Sequence, residues 1–192
     1  MSSDIVRTLG PVIAVLEQLG VAYRVGGSVA TSAFGVPRST LDVDIACSLR
    51  DEHVDALVQA LAATYYVDAD MIREAISRLA SFNLVMLETM IKVDVFISPS
   101  DAYDREAFAR SVRMSLEPGS REFDIATAED MILRKLDWYR KGGGVSERQW
   151  TDVIGVLRVQ GTALDFAYLE KWAGLLDLDA LLARARAEAA KP

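Results

Sequence analysis

Val25-Gly-Gly-Ser-Val-Ala-Thr-Ser-Ala-Phe-Gly-Val-Pro-Arg-Ser-Thr-Leu-Asp-Val-Asp-Ile45 is the stretch on which the reading of this chain turns. Its end alternates, with Asp42 and Asp44 two residues apart and Val43 and Ile45 interleaved. In a strand that period sends both carboxylates to one face and both branched apolar side chains to the other. Residues 41–47 are therefore predicted to form a strand with one face in the core. Two carboxylates side by side repel one another unless a cation lies between them or one takes a proton. A divalent ion such as magnesium, held by a few carboxylates and substrate phosphates, relieves that repulsion. Upstream, Gly26-Gly27-Ser28 falls between a short predicted strand, 22–26, and a short helix running to about Phe34, before the turn Gly35-Val36-Pro37. Glycines at such a junction let a phosphate approach the backbone, and a helix N-terminus adds unpaired N–H groups and a favourable dipole. Ser28 adds a hydroxyl donor.

A third carboxylate has the same surroundings. Asp94 lies in Ile91-Lys-Val-Asp-Val-Phe-Ile97, between Val93 and Val95. Aspartate in the middle of a strand runs against intrinsic preference. Two strands carrying such misfits bring three carboxylates together when they are neighbours in one sheet. Three carboxylates bridging two metals are a known solution for phosphoryl and nucleotidyl transfer. Each element also has an ordinary reading: Gly-Gly-Ser as a loop, Asp-x-Asp on an exposed strand face, and Asp94 as an edge charge that discourages aggregation. The three in this order, with strand signals around both positions, favour the catalytic reading.

Working outward, residues 4–19 carry apolar side chains at helical spacing (Ile5, Leu9, Val12, Ile13, Leu16), with Ser3 or Asp4 as cap and Gly20 as stop. Pro11 inside that pattern is expected to kink the helix or delay its start. A helical stripe over 51–64 is followed by a short strand at 65–67 and a helix over 69–79. Runs at 82–87 and 91–97 read as a hairpin across Glu88-Thr89-Met90. A helix near 104–109 and strand-like pieces at 112–116 and 122–125, around Pro118-Gly119, complete the front. From Thr127, with Asp130 at the capping-box position, helices are predicted at 128–140, 147–160, 165–175 and 178–190, with Gly142-Gly143-Gly144 as a joint. The expected architecture is α+β: a mixed β-sheet core over 1–125 flanked by helices, then a C-terminal helical bundle over 126–192.

Composition narrows the chemistry. The 192 residues are 51% apolar and 26% charged, with a net charge of −7. That suits one compact domain, or a domain with a helical appendage, and is too apolar for disorder. The acidic balance argues against a protein that coats nucleic acid through its overall field, leaving a local basic patch open. Cys47 and His53 are the sole residues of their kinds, so neither a disulfide framework nor a zinc ribbon can form within the chain. Histidine triads and thiol catalysis have few candidates, which leaves carboxylates, or a metal they hold, as the expected reagents. Cys47 is expected to be buried packing and His53 to lie on an exposed helix face. No basic segment followed by an apolar run opens the chain, and no uncharged stretch approaches the ~20 residues of a bilayer span, so a cytoplasmic protein without a membrane partner is expected. Residues 134–148 concentrate Arg134, Lys135, Arg140, Lys141 and Arg148 among Trp138, Tyr139 and Trp150. This reads either as a surface for triphosphate or an RNA end, or as an ordinary amphipathic helix pair with Leu133, Leu136 and Tyr139 in the core.

With these motifs in place, the chain resembles the nucleotidyltransferase superfamily that shares the DNA polymerase beta-type fold. The resemblance rests on Gly-Gly-Ser, on Arg38-x-Thr40-x-Asp42-x-Asp44, and on Lys92-x-Asp94. Within the superfamily it is most similar to the AbiEii-type and MenT-type toxins and their uncharacterised bacterial relatives. Their helical C-terminal part carries a Lys-Leu pair and a further Asp, matched here by Lys135-Leu136 and Asp152. The likeness spans about residues 20–155. It implies that Asp42, Asp44 and Asp94 are catalytic and hold magnesium or manganese, and that Gly26, Gly27 and Ser28 take the triphosphate. By the same likeness Arg38 contacts nucleotide or orients the Asp strand, Lys135 contacts phosphates, and Asp152 shapes the nucleotide pocket. The related CCA-adding enzymes carry Arg-Asp two residues after their Gly-Gly pair, where this chain has Ala30-Thr31. That departure, and the short chain, speak against a housekeeping tRNA-end polymerase. The reaction implied is in-line displacement at the α-phosphorus of a nucleoside triphosphate, with pyrophosphate leaving and Asp94 nearest the nucleophile. The acceptor is expected to be a tRNA 3' end, for a toxin with a cognate antitoxin as partner, or a small molecule, as for aminoglycoside nucleotidyltransferases. A fold that binds nucleotide or a partner without turnover is the remaining reading.

Overall fold

The computed structural model describes residues 2–37, 40 and 42–191. Contacts within the chain gather into two compact units, one of Met1–Val29 and Ser39–Ala126, the other of Ala30–Arg38 and Thr127–Pro192.

The first unit is built on a seven-stranded mixed sheet. Its strands are β1 (Tyr23–Val25), β2 (Asp42–Cys47), β3 (Tyr65–Tyr66), β4 (Ser81–Met86), β5 (Lys92–Ile97), β6 (Val112–Ser115) and β7 (Glu122–Ile125), in the order β3-β4-β5-β2-β1-β7-β6. Helices α1 (Ser2–Gln18), α3 (Val54–Leu61), α4 (Ala69–Arg78) and α5 (Ala102–Ala109) accompany it. Helix α2 (Gly27–Phe34) starts in this unit and runs into the second.

The alternation read from the sequence sets the faces of the central strands. Val43, Ile45 and Cys47 on β2 and Val93, Val95 and Ile97 on β5 are all buried, while the residues between them are partly exposed. Each such aliphatic side chain contributes about 1.5–3 kcal/mol by leaving water, which offsets the poor strand preference of the interleaved aspartates. β5 lies between β4 and β2, so Asp94 is not an edge charge. The β4–β5 hairpin closes through Met90, which adopts φ +56° and donates its N–H to the Met86 carbonyl at 2.8 Å. Helix α1 runs unbroken through Pro11 and buries Leu9, Val12, Ile13 and Leu16. Beyond its last residue, Gln18, Gly20 turns the chain: its φ of +67° lets the Val21 N–H return to the Leu16 carbonyl at 2.9 Å.

One local expectation needs correction. The helix predicted over 51–64 begins as a 3-10 turn, Asp51–His53, and His53 is not on an exposed face: its side chain is 13% exposed. Its Nδ1 accepts the Arg50 N–H at 3.1 Å, so the ring closes the helix start as a cap. Away from the carboxylates, Arg24 and Asp104 form a buried ion pair at 3.3 Å, and the Ser98 hydroxyl donates to Asp104 at 2.8 Å.

The second unit is helical: the C-terminal part of α2, then α6 (Ala128–Lys141), α7 (Glu147–Gln160), α8 (Phe166–Leu175) and α9 (Asp179–Ala189). Thr127, Ser146 and Asp165 cap α6, α7 and α8 by accepting the N–H three residues on. Leu133, Leu136, Val153, Val156 and Leu169 form its core. Gly35 packs close to α7: a Cβ there would lie 3.0 Å from the Val156 side chain, which would have to give way by a few tenths of an ångström. The C-terminal helix is docked: the Trp150 indole donates to Glu188 at 3.0 Å, and Arg158 donates to carbonyls at the end of α9. Among the described residues no helix is long and apolar enough to cross a membrane.

Candidate functional site

β2 and β5 run parallel in a register that sets Asp42 beside Lys92 and Asp44 beside Asp94. Paired positions on adjacent strands lie about 4.8 Å apart and share a face. The three aspartates that the sequence separates therefore stand on one sheet face, and Asn83 of β4, opposite Asp94, extends the row. Side-chain exposure falls from 49% at Asp42 to 17% at Asp94.

Lys92 belongs to the same face. Its Nζ lies 2.9 Å from Asp94 Oδ2 and 3.9 Å from Asp42 Oδ1. The hydrogen bond to Asp94 holds the ammonium pKa above its ordinary value against the opposing effect of desolvation, and Asp94, Asp42 and Asp44 add attraction through space. In the sequence motif Lys92 is a signature residue only; its even spacing from Asp94 is the signal that it faces the site.

The glycine motif meets the same carboxylates. Gly26 donates its N–H to the Asp44 carbonyl at 2.9 Å, which ties the loop to β2. Gly27, at φ +57°, opens α2, and a Cβ there would fall 1.6 Å from Asp44 Oδ2. Only glycine can stand there while Asp44 keeps its position, for both steric and torsional reasons. Ser28 is buried at the first turn of α2. Thr40 accepts the Asp42 N–H at 3.3 Å and donates to the Asp42 carbonyl at 3.0 Å, so it shapes the start of β2. Arg38 lies outside the described residues.

Whether these residues suit a divalent ion can be judged from their chemistry. The donors are all carboxylate oxygens on one face, the type that magnesium and manganese take, and a positive group already sits among them. Among the described residues no three acidic, histidine or cysteine side chains are grouped around a common point. The set fits such an ion by donor type and by face, and Lys92 is a cation on that same face.

In the second unit, Lys135 of α6 and Asp152 of α7 form a buried pair, Nζ to Oδ2 2.7 Å, with side chains 7% and 8% exposed. Gln149 accepts a further hydrogen bond from Lys135 at 3.2 Å. The basic patch resolves toward the amphipathic reading: Leu133, Leu136 and Tyr139 are buried, while Arg140 and Lys141 both pair with Asp137, at 2.9 and 2.7 Å. A mostly apolar cleft of about 320 Å³ lies within this unit, bordered by Thr31, Val36, Asp152, Ile154, Gly155 and Arg158.

No protein-family model matches the chain, and no curated protein matches it in sequence. Solved structures do match its fold. The antibiotic-resistance factor ANT(2'')-Ia, in its solution structure, is 18% identical over 97% of this chain and 96% of its own, with a TM-score of 0.55. The crystal structure of ANT(2'')-Ia in complex with adenylyl-2''-tobramycin is 13% identical over 91% of this chain and 97% of its own, with a TM-score of 0.56. An antigenic nucleotidyltransferase-like protein from Paracoccidioides brasiliensis is 16% identical over 97% and 94%, with a TM-score of 0.54. The chain thus shares the fold of these proteins.

Proposed function

We propose that the protein is a nucleotidyltransferase that moves a nucleoside monophosphate from a triphosphate to an acceptor hydroxyl. The observation that carries this reading is the register of β2 and β5, which sets Asp44 beside Asp94 and Asp42 on the same face, against the Gly27 turn that opens α2. Asp42, Asp44 and Asp94 would hold magnesium or manganese. The ion, when bound, lowers the pKa of an attacking hydroxyl and neutralises charge that develops on the phosphates. Gly26, Gly27 and Ser28 bring backbone N–H groups and a hydroxyl to the triphosphate at the start of α2. Asp94, the less exposed of the carboxylates flanking Lys92, would accept the proton of the acceptor hydroxyl.

For the acceptor, a small cationic molecule is the reading best supported. The likeness to ANT(2'')-Ia extends over nearly the whole of both chains, and a net charge of −7 favours a cation over bulk RNA. Transfer to a tRNA end by a toxin of the AbiEii or MenT type rests on the motifs around Lys135 and Asp152, and is the alternative that the experiment distinguishes.

The test incubates the protein with magnesium or manganese, each labelled triphosphate in turn, and either a panel of amino sugars and other cationic small molecules or total tRNA. Label is expected on a small molecule with the wild type and not with Asp44→Asn or Asp94→Asn. Labelled tRNA instead would move the acceptor to the RNA end. Absence of both metal-dependent triphosphate binding and transfer would overturn the proposal.

A further inference from the structure

Three like charges on one sheet face are unfavourable when no ion is bound, and a protein that folds before it meets metal must relieve them. The structure relieves them with a residue of its own. Lys92 stands beside Asp42 in the β2–β5 register and two residues before Asp94, so its side chain leaves the sheet on the carboxylate face. Its ammonium spans the two outer carboxylates, 2.9 Å from Asp94 and 3.9 Å from Asp42. A side chain that is 38% exposed has room to swing away into solvent without disturbing the core beneath.

We infer that Lys92 is a resident counter-cation, which holds the carboxylate face when no metal is bound and must be displaced from Asp94 and Asp42 when a divalent ion enters. The inference rests on the metal site proposed above and goes beyond it, because it assigns the site a built-in competitor. The ammonium and a divalent ion seek the same oxygens and repel one another at short range. Metal alone is therefore held weakly. A nucleoside triphosphate changes the balance, since its phosphates offer the displaced ammonium a new anionic partner while also bridging the ion. Metal and nucleotide then bind better together than either does alone, a coupling that must act equally in both directions. Lysine suits this role because its flexible stem carries a point charge, whereas a planar guanidinium would lock onto one carboxylate.

The test measures Mn²⁺ binding from the signal of the free ion by electron paramagnetic resonance, with Mn²⁺ alone and with Mn²⁺ plus ATP. Wild type is compared with Lys92→Met and Lys92→Gln, which remove the charge, and Lys92→Arg, which keeps it. Without nucleotide, both neutral variants are expected to bind Mn²⁺ about tenfold more tightly than wild type. That is the scale of repulsion between a divalent and a monovalent cation about 5 Å apart in a water-like medium. Lys92→Arg should bind no more tightly than wild type. The tightening brought by ATP should shrink in the neutral variants. Melting temperature supplies a second readout: the neutral variants should melt below wild type in chelator, and saturating Mn²⁺ should close the gap. If the neutral variants bind Mn²⁺ no more tightly than wild type, while wild-type binding is lost in Asp94→Asn, the metal site stands and the role of Lys92 is overturned. If neither wild type nor any variant binds Mn²⁺, with or without ATP, both readings fall together.

Discussion

The two units each pair a lysine with aspartate, in opposite surroundings. On the sheet, Lys92 and Asp94 are 2.9 Å apart with side chains 38% and 17% exposed. In the helical unit, Lys135 and Asp152 are 2.7 Å apart and nearly sealed, at 7% and 8%. Water screens the first pair, so holding or breaking it changes stability little. Removing one partner of the second takes a 2.7 Å ion pair away from a charge held in low dielectric, which is strongly destabilising. The difference bears on exchange: the sheet pair lies open to solvent and, as proposed above, would trade its cation for another, while the helical pair joins α6 to α7.

The sharpest way to separate the two is a carboxylate substitution on the sheet. Asp94→Asn should reduce nucleotidyl transfer by on the order of 10³-fold or more, while urea unfolding shifts by less than about 1 kcal/mol. A variant that lost activity only by unfolding would break the comparison. Next in size is Lys135→Met, which should lower unfolding stability by about 3–5 kcal/mol. The double variant Lys135→Met/Asp152→Leu should recover much of that loss, because it removes both charges. A small effect of the single variant would show that the buried pair is as exchangeable as the exposed one.

Gly27→Ala falls between. The left-handed backbone conformation costs about 1–2 kcal/mol for a residue with a Cβ, and that Cβ displaces Asp44, so transfer should fall more steeply than stability. Kinetics and urea unfolding on the same preparation check the ratio. Smaller still is Lys92→Met, expected to change stability by about 0–1 kcal/mol at neutral pH in chelator.

The last prediction concerns the buried face of the same strand. Burial pushes the Cys47 thiol up to about 12 from an ordinary value of 9.0. A group whose pKa is raised on folding contributes stability in full below its unfolded pKa and loses it as pH rises toward the folded value. Stability should therefore be insensitive to this thiol at neutral pH and should decline between about pH 9 and 12. Cys47→Ala should flatten that decline in urea unfolding series, and a thiol reagent should leave native Cys47 unmodified at pH 8. Rapid modification would mean that this face of β2 opens to solvent.

Much of this organisation was legible in the residues themselves, because the signals are local. Alternation placed Asp42, Asp44 and Asp94 in strands with their branched neighbours inward, and helix caps such as Thr127 marked where the character of the chain changes. His53 was misread, since its ring meets a backbone N–H in a 3-10 turn that helical periodicity does not foresee. The basic run around Lys135 was ambiguous for a similar reason: charge in a sequence does not say whether a partner such as Asp137 or Asp152 faces it.

The sequence by itself determined which residues share a strand face, where most helices start and stop, and that histidine and thiol chemistry have a single candidate each. Only the tertiary structure decided that β2 and β5 are neighbours, with Asp44 opposite Asp94 although the two are about fifty residues apart. It also set Gly27 against Asp44, gave the carboxylate face its own cation in Lys92, and buried Lys135. The physical reason is one of range. Periodicity and capping depend on bonds within a turn or two of chain, whereas strand order and charge pairing depend on how distant segments bury their apolar faces together.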